Sequence, residues 1–342
     1  MEKWTGFEHG VNLGGWLSQC DYSRERLDHF ITREDIMTIA SWGADHVRLP
    51  VDYNVVEDAA GQPLEEGFGR IGRAIDWCRE AGLRLVLDLH KTFGFSFDAG
   101  ENQHGFFENE AYQERFCRLW ERFASRFAKD GDMLAFELLN EVTDPSYSKT
   151  WNRVADACIR RIRRIAPDVP ILVGSYWNNS IDALPDLLLP QDEHVIYNFH
   201  CYDPLIFTHQ GAYWVSGMDR SFRLSVGRPL SVFQAENSRL GLPGTDIYDG
   251  MDLSRPLDAS YFKRRMAKAA AVARERNARL YCGEYGVINL ASPEDTVRWY
   301  EAIHEAFEEY GIGRAAWSYK QMDFGISDAR MDKVRDELIN CL

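Results

Sequence analysis

The sequence predicts an α/β fold, a (β/α)8 barrel of the TIM type with a subdomain inserted after strand six. Short apolar runs that end in polar or aromatic residues recur eight times along the 342 residues, and amphipathic stretches separate most of them. Strands that alternate with helices favour a parallel sheet, and eight such units favour closure into a barrel. Two of the runs end in glutamates, Glu141 and Glu284, at the strand ends where such barrels carry functional groups.

The predicted strands cover residues 9–15, 46–50, 84–90, 133–141, 171–176, 195–200, 280–284 and 315–319. Between them, Thr32 is predicted to cap a helix together with Asp35, three residues further on. Apolar residues at helical spacing within 71–78, 112–127 and 154–165 predict further helices. Such apolar faces usually pack on a core, so we do not interpret them as binding surfaces.

Residues 203–256 interrupt the alternation of strands and helices. The segment contains four prolines, many glycines and six aromatic residues, and it shows no pattern of a long helix. It is too long for a plain connection. We predict an insertion folded over the barrel mouth, with a helix resuming near Tyr261, and a single catalytic domain over residues 1–342.

Composition excludes several classes of partner. The net charge is −14 with no basic block, so we expect no nucleic acid partner. No apolar run is long enough to span a bilayer and no signal-peptide pattern is present, so we expect no membrane partner. The seven cysteines form no CxxC pair and are expected to be mostly reduced and buried. We therefore expect a cytoplasmic monomer, or a secreted protein if a leader has been removed.

The two glutamates suggest a chemistry. Glu141 closes the run LAFELLNE and Glu284 closes the run RLYCGE, so they come from two different strands. Glycoside hydrolysis needs one carboxyl group as acid and a second as nucleophile or base.

Other strand ends also supply polar or aromatic side chains. Alone, an arginine on a strand is usually an ion-pair partner, and a histidine is usually a satisfied core residue. Together at the ends of neighbouring strands they indicate one site. The members of this set are Arg48, His90, Asn140, His200, Tyr202 and Trp317.

In this order, and with GVNLGGW at residues 10–16, the set resembles the signature of glycoside hydrolase family 5 over the whole chain. The resemblance implies a retaining β-glycosidase on a (β/α)8 barrel. It implies that Glu141 is the acid/base and Glu284 the nucleophile, with Arg48 and Tyr202 supporting the Glu284 carboxylate.

The same resemblance assigns roles around the sugar. It places His200 near Glu141, and it implies that Asn140 bonds the sugar 2-hydroxyl. Trp317 is expected to form the platform of the −1 subsite, and His90 to bond hydroxyls of that sugar.

Two further residues are expected to bind substrate. Lys91 stands where many members of the family have a second histidine or a small residue, and we expect it at the cleft rim near a sugar hydroxyl. Trp214, in the predicted insertion, is expected to face the cleft and stack on a sugar. Asp88 and Glu137 share the strand face of His90 and Glu141, and we interpret them as buried polar residues paired with arginine or backbone donors.

The first functional hypothesis is a retaining endo-β-glucanase acting on β-1,4-linked and mixed-linkage glucans, with no cofactor and no metal. A β-1,3-glucanase or β-mannanase is the alternative. A zinc hydrolase would need converging ligands, often H-x-H on one strand, and the sequence has no such pair. A non-catalytic sugar-binding module would have lost one of the glutamates, and GxGxxG after a strand is also absent.

Overall fold

A computed structural model describes residues 3–98, 100–101, 104–242 and 245–342. Eight parallel strands form a closed barrel in chain order, as the sequence predicts. The strands are β1 (His9–Asn12), β2 (His46–Asp52), β3 (Arg84–Lys91), β4 (Leu134–Glu137), β5 (Ile171–Val173), β6 (Val195–Cys201), β7 (Arg279–Tyr285) and β8 (Gly313–Ala316).

Helices lie in the segments that connect and follow the strands. They are α1 (Arg24–His29), α2 (Arg33–Ser41), α3 (Tyr53–Val56), α4 (Glu65–Ala81), α5 (Glu110–Phe127), α6 (Ser148–Arg163), α7 (Tyr176–Asn179), α8 (Leu205–Thr208), α9 (Leu230–Leu240), α10 (Ala259–Glu275), α11 (Pro293–Tyr310) and α12 (Arg335–Ile339). The predicted alternation is wrong after β5. There the chain makes the single turn α7, which contains left-handed residues, and then a 3-10 helix at Ile181–Asp186.

Local sequence signals position the helices as predicted. Thr32 and Asp35 form a reciprocal capping box at the start of α2, which satisfies backbone donors that the first turn leaves free. The apolar faces of α4, α5 and α6 are buried against the strands, which confirms that these stripes belong to the core.

The inside of the barrel is layered along its axis. An apolar cluster that includes Val86, Ala135, Ile196 and Tyr281 fills the end where the strands begin. Residues two positions further along the same strands point to the same side of the sheet. Two positions beyond Val86, Ala135 and Ile196 lie Asp88, Glu137 and Asn198, which are polar, fully buried and part of the layer on which the site is built.

Residues 203–256 connect β6 to α10 and contain α8 and α9. The expectation of no long helix is wrong, because α9 has 11 residues, starts after Pro229 and ends at Gly241 with φ 62°. Pro243 and Gly244 lie outside the described residues. The next helix, α10, begins at Ala259, close to the predicted position. Ala212 of this segment packs with Trp317, at the end of the barrel where the strands finish. That the segment forms a subdomain over the mouth stays a prediction.

The seven cysteines are free, and all but Cys20 are buried, as expected. Among the described helices, none combines the length and the apolar character that crossing a bilayer requires.

Candidate active site

Arg48, on β2, is the centre of the buried polar layer and has no exposed surface. Its Nε and Nη2 atoms donate to the two oxygens of Glu137 at 2.7 and 2.8 Å. Its Nη2 lies 3.0 Å from Asp88, and its Nη1 donates to Glu284 Oε1 at 2.9 Å. Burial opposes the charge of Arg48, but the three carboxylates outweigh burial and raise its pKa well above the usual range. The expected role of Asp88 and Glu137 as paired layer residues is confirmed.

Glu284 is held from two sides. Arg48 Nη1 binds one carboxylate oxygen at 2.9 Å, and the Tyr202 hydroxyl donates to the other at 2.8 Å. Burial, together with the negative charge of Glu284, raises the pKa of Tyr202 well above its usual value, so the phenol stays a donor. The register between β6 and β7 shifts at this point. A Cβ on Gly283 would lie 2.8 Å from Asn198 Oδ1 and 3.0 Å from His200 Nε2, so the bend before Glu284 requires glycine.

Glu141 lies four residues beyond the end of β4, on strained backbone. Its φ is 31°, a left-handed conformation that is uncommon outside glycine and recurs at functional sites. His200 Nδ1 contacts one of its carboxylate oxygens at 2.8 Å, and Asn178 Nδ2 donates to the other at 2.8 Å. Burial raises the pKa of Glu141 to about 7, although the Asn178 hydrogen bond opposes the rise. Glu141 therefore suits proton donation near neutral pH.

His200 bridges the two glutamates. Its Nδ1 is 2.8 Å from Glu141 Oε1 and 3.6 Å from Glu284 Oε2. One carboxylate oxygen of each glutamate and one ring nitrogen of His200 all lie within 4.8 Å of one another. Burial lowers the pKa of His200 to about 4, so the ring is neutral when Glu141 titrates.

Three residues that are predicted to contact the sugar lie beside Glu284, namely His90, Asn140 and Trp317. The His90 ring lies parallel to the Trp317 indole, with centroids 5.7 Å apart and an interplanar angle of 5°. Burial lowers the pKa of His90 to about 3, and the neutral ring bonds Asp88 through Nδ1 at 2.6 Å. The buried Nδ2 of Asn140 has no hydrogen-bond partner among the described residues. That free donor fits a sugar hydroxyl.

Lys91 is enclosed rather than free at the rim, with 4% of its side chain exposed. Its ammonium lies 2.6 Å from both Asp98 and Glu101, in the loop after β3. Burial opposes its charge, but Asp52, Asp98 and Glu101 prevail and raise the pKa of Lys91. Lys91 is therefore ion-paired with the loop after β3, while its contact with a sugar stays a prediction.

Trp214 is 40% exposed and stands at the end of a series of rings. The ring of His209 lies 5.9 Å from Trp214 and 5.1 Å from Tyr202, the partner of Glu284. Phe324 lies 6.4 Å from Trp214 and shares an apolar cluster with Trp317. Trp214 thus lies on the side of the site that carries Glu284, and stacking on a sugar stays a prediction.

Sequence reasoning missed the turn after β5. Trp177, Asn178 and Asn179 all have left-handed φ values, between 51° and 56°. Backbone bonds from Trp177 N to Thr143 O and from Asn178 N to Val142 O fasten this turn beside Glu141. A tryptophan followed by two asparagines directly after a strand end was the available signal.

Gln19 was also missed, in the loop after β1. Its amide nitrogen donates to Asp98 at 3.0 Å, and its amide oxygen lies 3.3 Å from His90 Nε2. It therefore joins the loops after β1 and β3 beside the predicted sugar contacts.

A closed barrel with a hydrogen-bonded pair of carboxylates at its mouth defines the class of protein, a (β/α)8 glycoside hydrolase. Comparison with protein families narrows this class, since the cellulase family, also described as glycosyl hydrolase family 5, matches residues 3–323. The chain belongs to glycoside hydrolase family 5.

Individual relatives agree with this assignment. The chain is 48% identical to cellodextrinase A of Ruminococcus flavefaciens over 92% of this chain and 86% of that protein. It is 38% identical to endoglucanase C of Acetivibrio thermocellus over 99% of this chain and 98% of that protein. Among solved structures, cellulose synthase subunit Z of Clostridioides difficile superimposes with a TM-score of 0.77 at 25% identity, covering 98% and 99% of the two chains. The endoglucanase Cel5A of Thermotoga maritima, 23% identical over 98% and 97% of the chains with a TM-score of 0.77, shares the fold.

Proposed function

We propose that the protein is a retaining endo-β-glucanase that hydrolyses β-1,4-glucosidic bonds in cellulose-type and mixed-linkage β-glucans by double displacement. The observation that carries this proposal is a short distance between the two glutamates. One carboxylate oxygen of Glu141 lies within 4.8 Å of one carboxylate oxygen of Glu284. Retaining glycosidases keep their carboxyl groups about 5–5.5 Å apart, whereas inverting enzymes need roughly 6.5–9.5 Å to admit a water.

In the first step, Glu284 attacks the anomeric carbon while Glu141 protonates the departing glycosidic oxygen. The two hydrogen bonds from Arg48 and Tyr202 fix the attacking carboxylate. The raised pKa of Glu141, about 7, keeps its proton available below neutral pH. Breaking the glycosidic bond leaves the glycosyl group esterified to Glu284 and gives the proton to the leaving sugar.

In the second step, Glu141 is a carboxylate and removes a proton from the incoming water. The resulting hydroxide attacks the anomeric carbon and releases Glu284. Asn178 and His200 each contact one oxygen of Glu141, so the carboxylate is oriented in both steps. The free Nδ2 of Asn140 supports the proposed bond to the sugar 2-hydroxyl, which strengthens in the oxocarbenium-like transition state.

The names of the relatives support a β-glucan substrate. Endoglucanase C and cellodextrinase A are similar to this chain along nearly their whole lengths. The exposed Trp177 adds an aromatic surface on the Glu141 side of the site. Because Glu141 protonates the leaving group, that side is where we place the leaving sugar.

The stereochemistry tests the mechanism directly. Proton NMR of cellotetraose hydrolysis, recorded before mutarotation, should show the β-anomer as the first new reducing end. An initial α-anomer would establish inversion and refute double displacement.

The substrate range is tested with carboxymethylcellulose, lichenan, laminarin and mannan. We expect reducing ends from the first two polymers, with a fall in viscosity that precedes extensive sugar release. Faster release from laminarin or mannan would favour the alternative linkages. Sugar release without loss of viscosity would show exo action.

A further inference from the structure

Behind His200, on the side away from Glu141, stands the side chain of Asn179. Its Nδ2 lies 3.3 Å from His200 Nε2, and the whole residue is buried. Asn179 Oδ1 is also buried and has no hydrogen-bond partner among the described residues. A Cβ on Gly174 would lie 2.1 Å from that oxygen, so the amide rests directly on the backbone of a glycine.

We propose that Asn179 is a positioning residue whose amide turns over to serve both tautomers of His200, and so couples that ring to the protonation state of Glu141. This inference rests on the acid/base role proposed for Glu141. Asn179 touches no reacting atom and acts only through the ring.

The argument follows from the protons that each group carries. A neutral imidazole has one N–H, so when Nδ1 donates, Nε2 must accept. When Glu141 is ionised, its Oε1 requires a donor, and His200 Nδ1–H supplies it across 2.8 Å. Nε2 then accepts from Asn179 Nδ2–H, which fits the structure, where Nδ2 faces Nε2 at 3.3 Å.

Protonation of Glu141 reverses these roles. A proton on Glu141 Oε1 donates to Nδ1, and the ring proton moves to Nε2. That proton needs an acceptor, and a half-turn of the Asn179 amide presents Oδ1, the atom now without a partner among the described residues. The exchange of an amide's oxygen and nitrogen keeps the side chain's shape, so no backbone movement is required.

The other asparagine of this turn, Asn178, bonds Glu141 instead of His200. Asn179 is therefore the asparagine of this turn whose amide faces Nε2 of the His200 ring. Several ionisable groups face the Glu141–His200 pair, namely Arg48, Asp88, Asp98, Glu137, Tyr202 and Glu284. Burial raises the pKa of one of them, Asp88, to about 7, the same as that of Glu141. Glu141→Ala separates the two carboxyl groups, because a tautomer change driven by Asp88 would persist in that variant. The left-handed backbone of Asn179, with φ 56°, is the local distortion that delivers the amide.

The test is nitrogen-15 NMR of the ¹⁵N-histidine-labelled protein without substrate, with the His200 signals assigned by their loss in His200→Asn. About two pH units above the pKa of Glu141, His200 should carry its proton on Nδ1, and about two units below it on Nε2. In Glu141→Ala this pH response should disappear. In Asn179→Asp, whose ionised carboxylate can only accept, Nε2 should stay protonated at both pH values. The same tautomer in the wild type at both pH values would overturn the proposal.

Rates give a second readout. Asn179→Leu has a similar size but no hydrogen-bonding atom, and it should slow both glycosylation and deglycosylation roughly tenfold. Ser180→Ala, on the next residue of the same turn, should keep wild-type rates. Wild-type rates in a folded Asn179→Leu would count against the proposal, and if that variant does not fold, the wild-type NMR decides. Failure of the acid/base role is distinguishable, because Glu141→Ala would then retain activity on cellotetraose whatever the tautomer does.

Discussion

Glu137 holds the guanidinium of Arg48 through both of its carboxylate oxygens, in the interior of the barrel beneath the two proposed catalytic glutamates. Neither side chain has any exposed surface. A planar fork paired with a carboxylate fixes the direction of the guanidinium as well as its charge. The remaining Nη1 is therefore aimed at Glu284, which it reaches at 2.9 Å. The buried pair therefore positions the proposed nucleophile, Glu284.

Glu137→Ala should consequently reduce both stability and rate. Removing one partner of a buried pair leaves an uncompensated charge and costs about 3–5 kcal/mol of the free energy of unfolding. Urea denaturation measures that loss, and kcat/KM should fall because Arg48 is no longer fixed. Glu65→Ala is the matched control, because the Glu65–Arg126 pair is exposed and should contribute only about 0–1 kcal/mol. Equal losses in the two variants would contradict this account.

The sequence predicted the barrel, and it predicted that the strand ends carrying Glu141 and Glu284 meet, because both follow from periodic patterns. Alternation on β3 places Asp88 and His90 on one face, and the parallel strands bring their carboxyl ends together. The amino-acid sequence alone was therefore enough to expect Arg48 and Glu284 in one site. The ion pairs of the buried polar layer could be expected from the chemistry of its residues, because charged side chains that are buried must be paired.

The rest of the site depends on loops, where no period exists. The partners of Lys91, Asp98 and Glu101, lie in a loop whose path is set by contacts such as that of Gln19. The turn at Trp177, Asn178 and Asn179 adopts left-handed backbone at three consecutive residues, and such backbone is uncommon outside glycine. Tertiary hydrogen bonds to residues 142–143 hold it there.

The activity should fall on the alkaline side as Glu141 loses its proton. With a pKa of about 7, the limb of kcat/KM at high pH should lie near neutrality. Asn178 donates to the carboxylate and thereby lowers the pKa of Glu141. Asn178→Ala removes this stabilisation of the ionised form, so the limb should move to higher pH. The pH profile for cellotetraose measures this shift.

Asn152→Ala is the control for Asn178→Ala, because Asn152 is a half-buried asparagine whose amide bonds the backbone of Asp186 instead of Glu141. Its alkaline limb should stay in place. A limb that moves to lower pH in Asn178→Ala would show that the hydrogen bond acts on the protonated form instead.

Trp177 should bind the leaving sugar. It is 54% exposed and precedes Asn178, which donates to Glu141. Trp177→Ala should lower kcat/KM for cellotetraose roughly three- to tenfold, as expected for a lost stacking contact of about 0.5–1.5 kcal/mol. Cellobiosyl fluoride has no leaving sugar and should be turned over at the wild-type rate. Leu189→Ala, which truncates another exposed side chain, should affect neither substrate. Equal losses on both substrates would remove Trp177 from the leaving-group side.

Lys91 should act by neutralising the loop after β3. Lys91→Met leaves the carboxylates of Asp98 and Glu101 without their cation, so KM for cellotetraose should rise and the melting temperature should fall. The triple variant Lys91→Met/Asp98→Asn/Glu101→Gln removes the uncompensated charges and should recover both values. If KM stayed high in the triple variant while the melting temperature recovered, Lys91 would contact the sugar directly.

The two glutamates should respond differently to azide. Glu284→Ala lacks the proposed nucleophile, so no glycosyl-enzyme should form and hydrolysis of every substrate should be lost. Glu141→Ala lacks the proton donor, which a sugar leaving group needs and a dinitrophenolate does not. That variant should form the glycosyl-enzyme from dinitrophenyl cellobioside and then stall, because no base activates water.

Azide needs no general base, so it should restore turnover of Glu141→Ala and yield β-cellobiosyl azide. Both variants should remain folded, since each glutamate lies at the open end of the barrel, and circular dichroism checks this. The buried contact of Glu284 with Arg48 makes its alanine variant the less stable of the two. Product NMR identifies the anomer of the azide. A β-azide from Glu284→Ala together with an inert Glu141→Ala would reverse the two assignments, because the residue that azide rescues to a β-product is the acid/base.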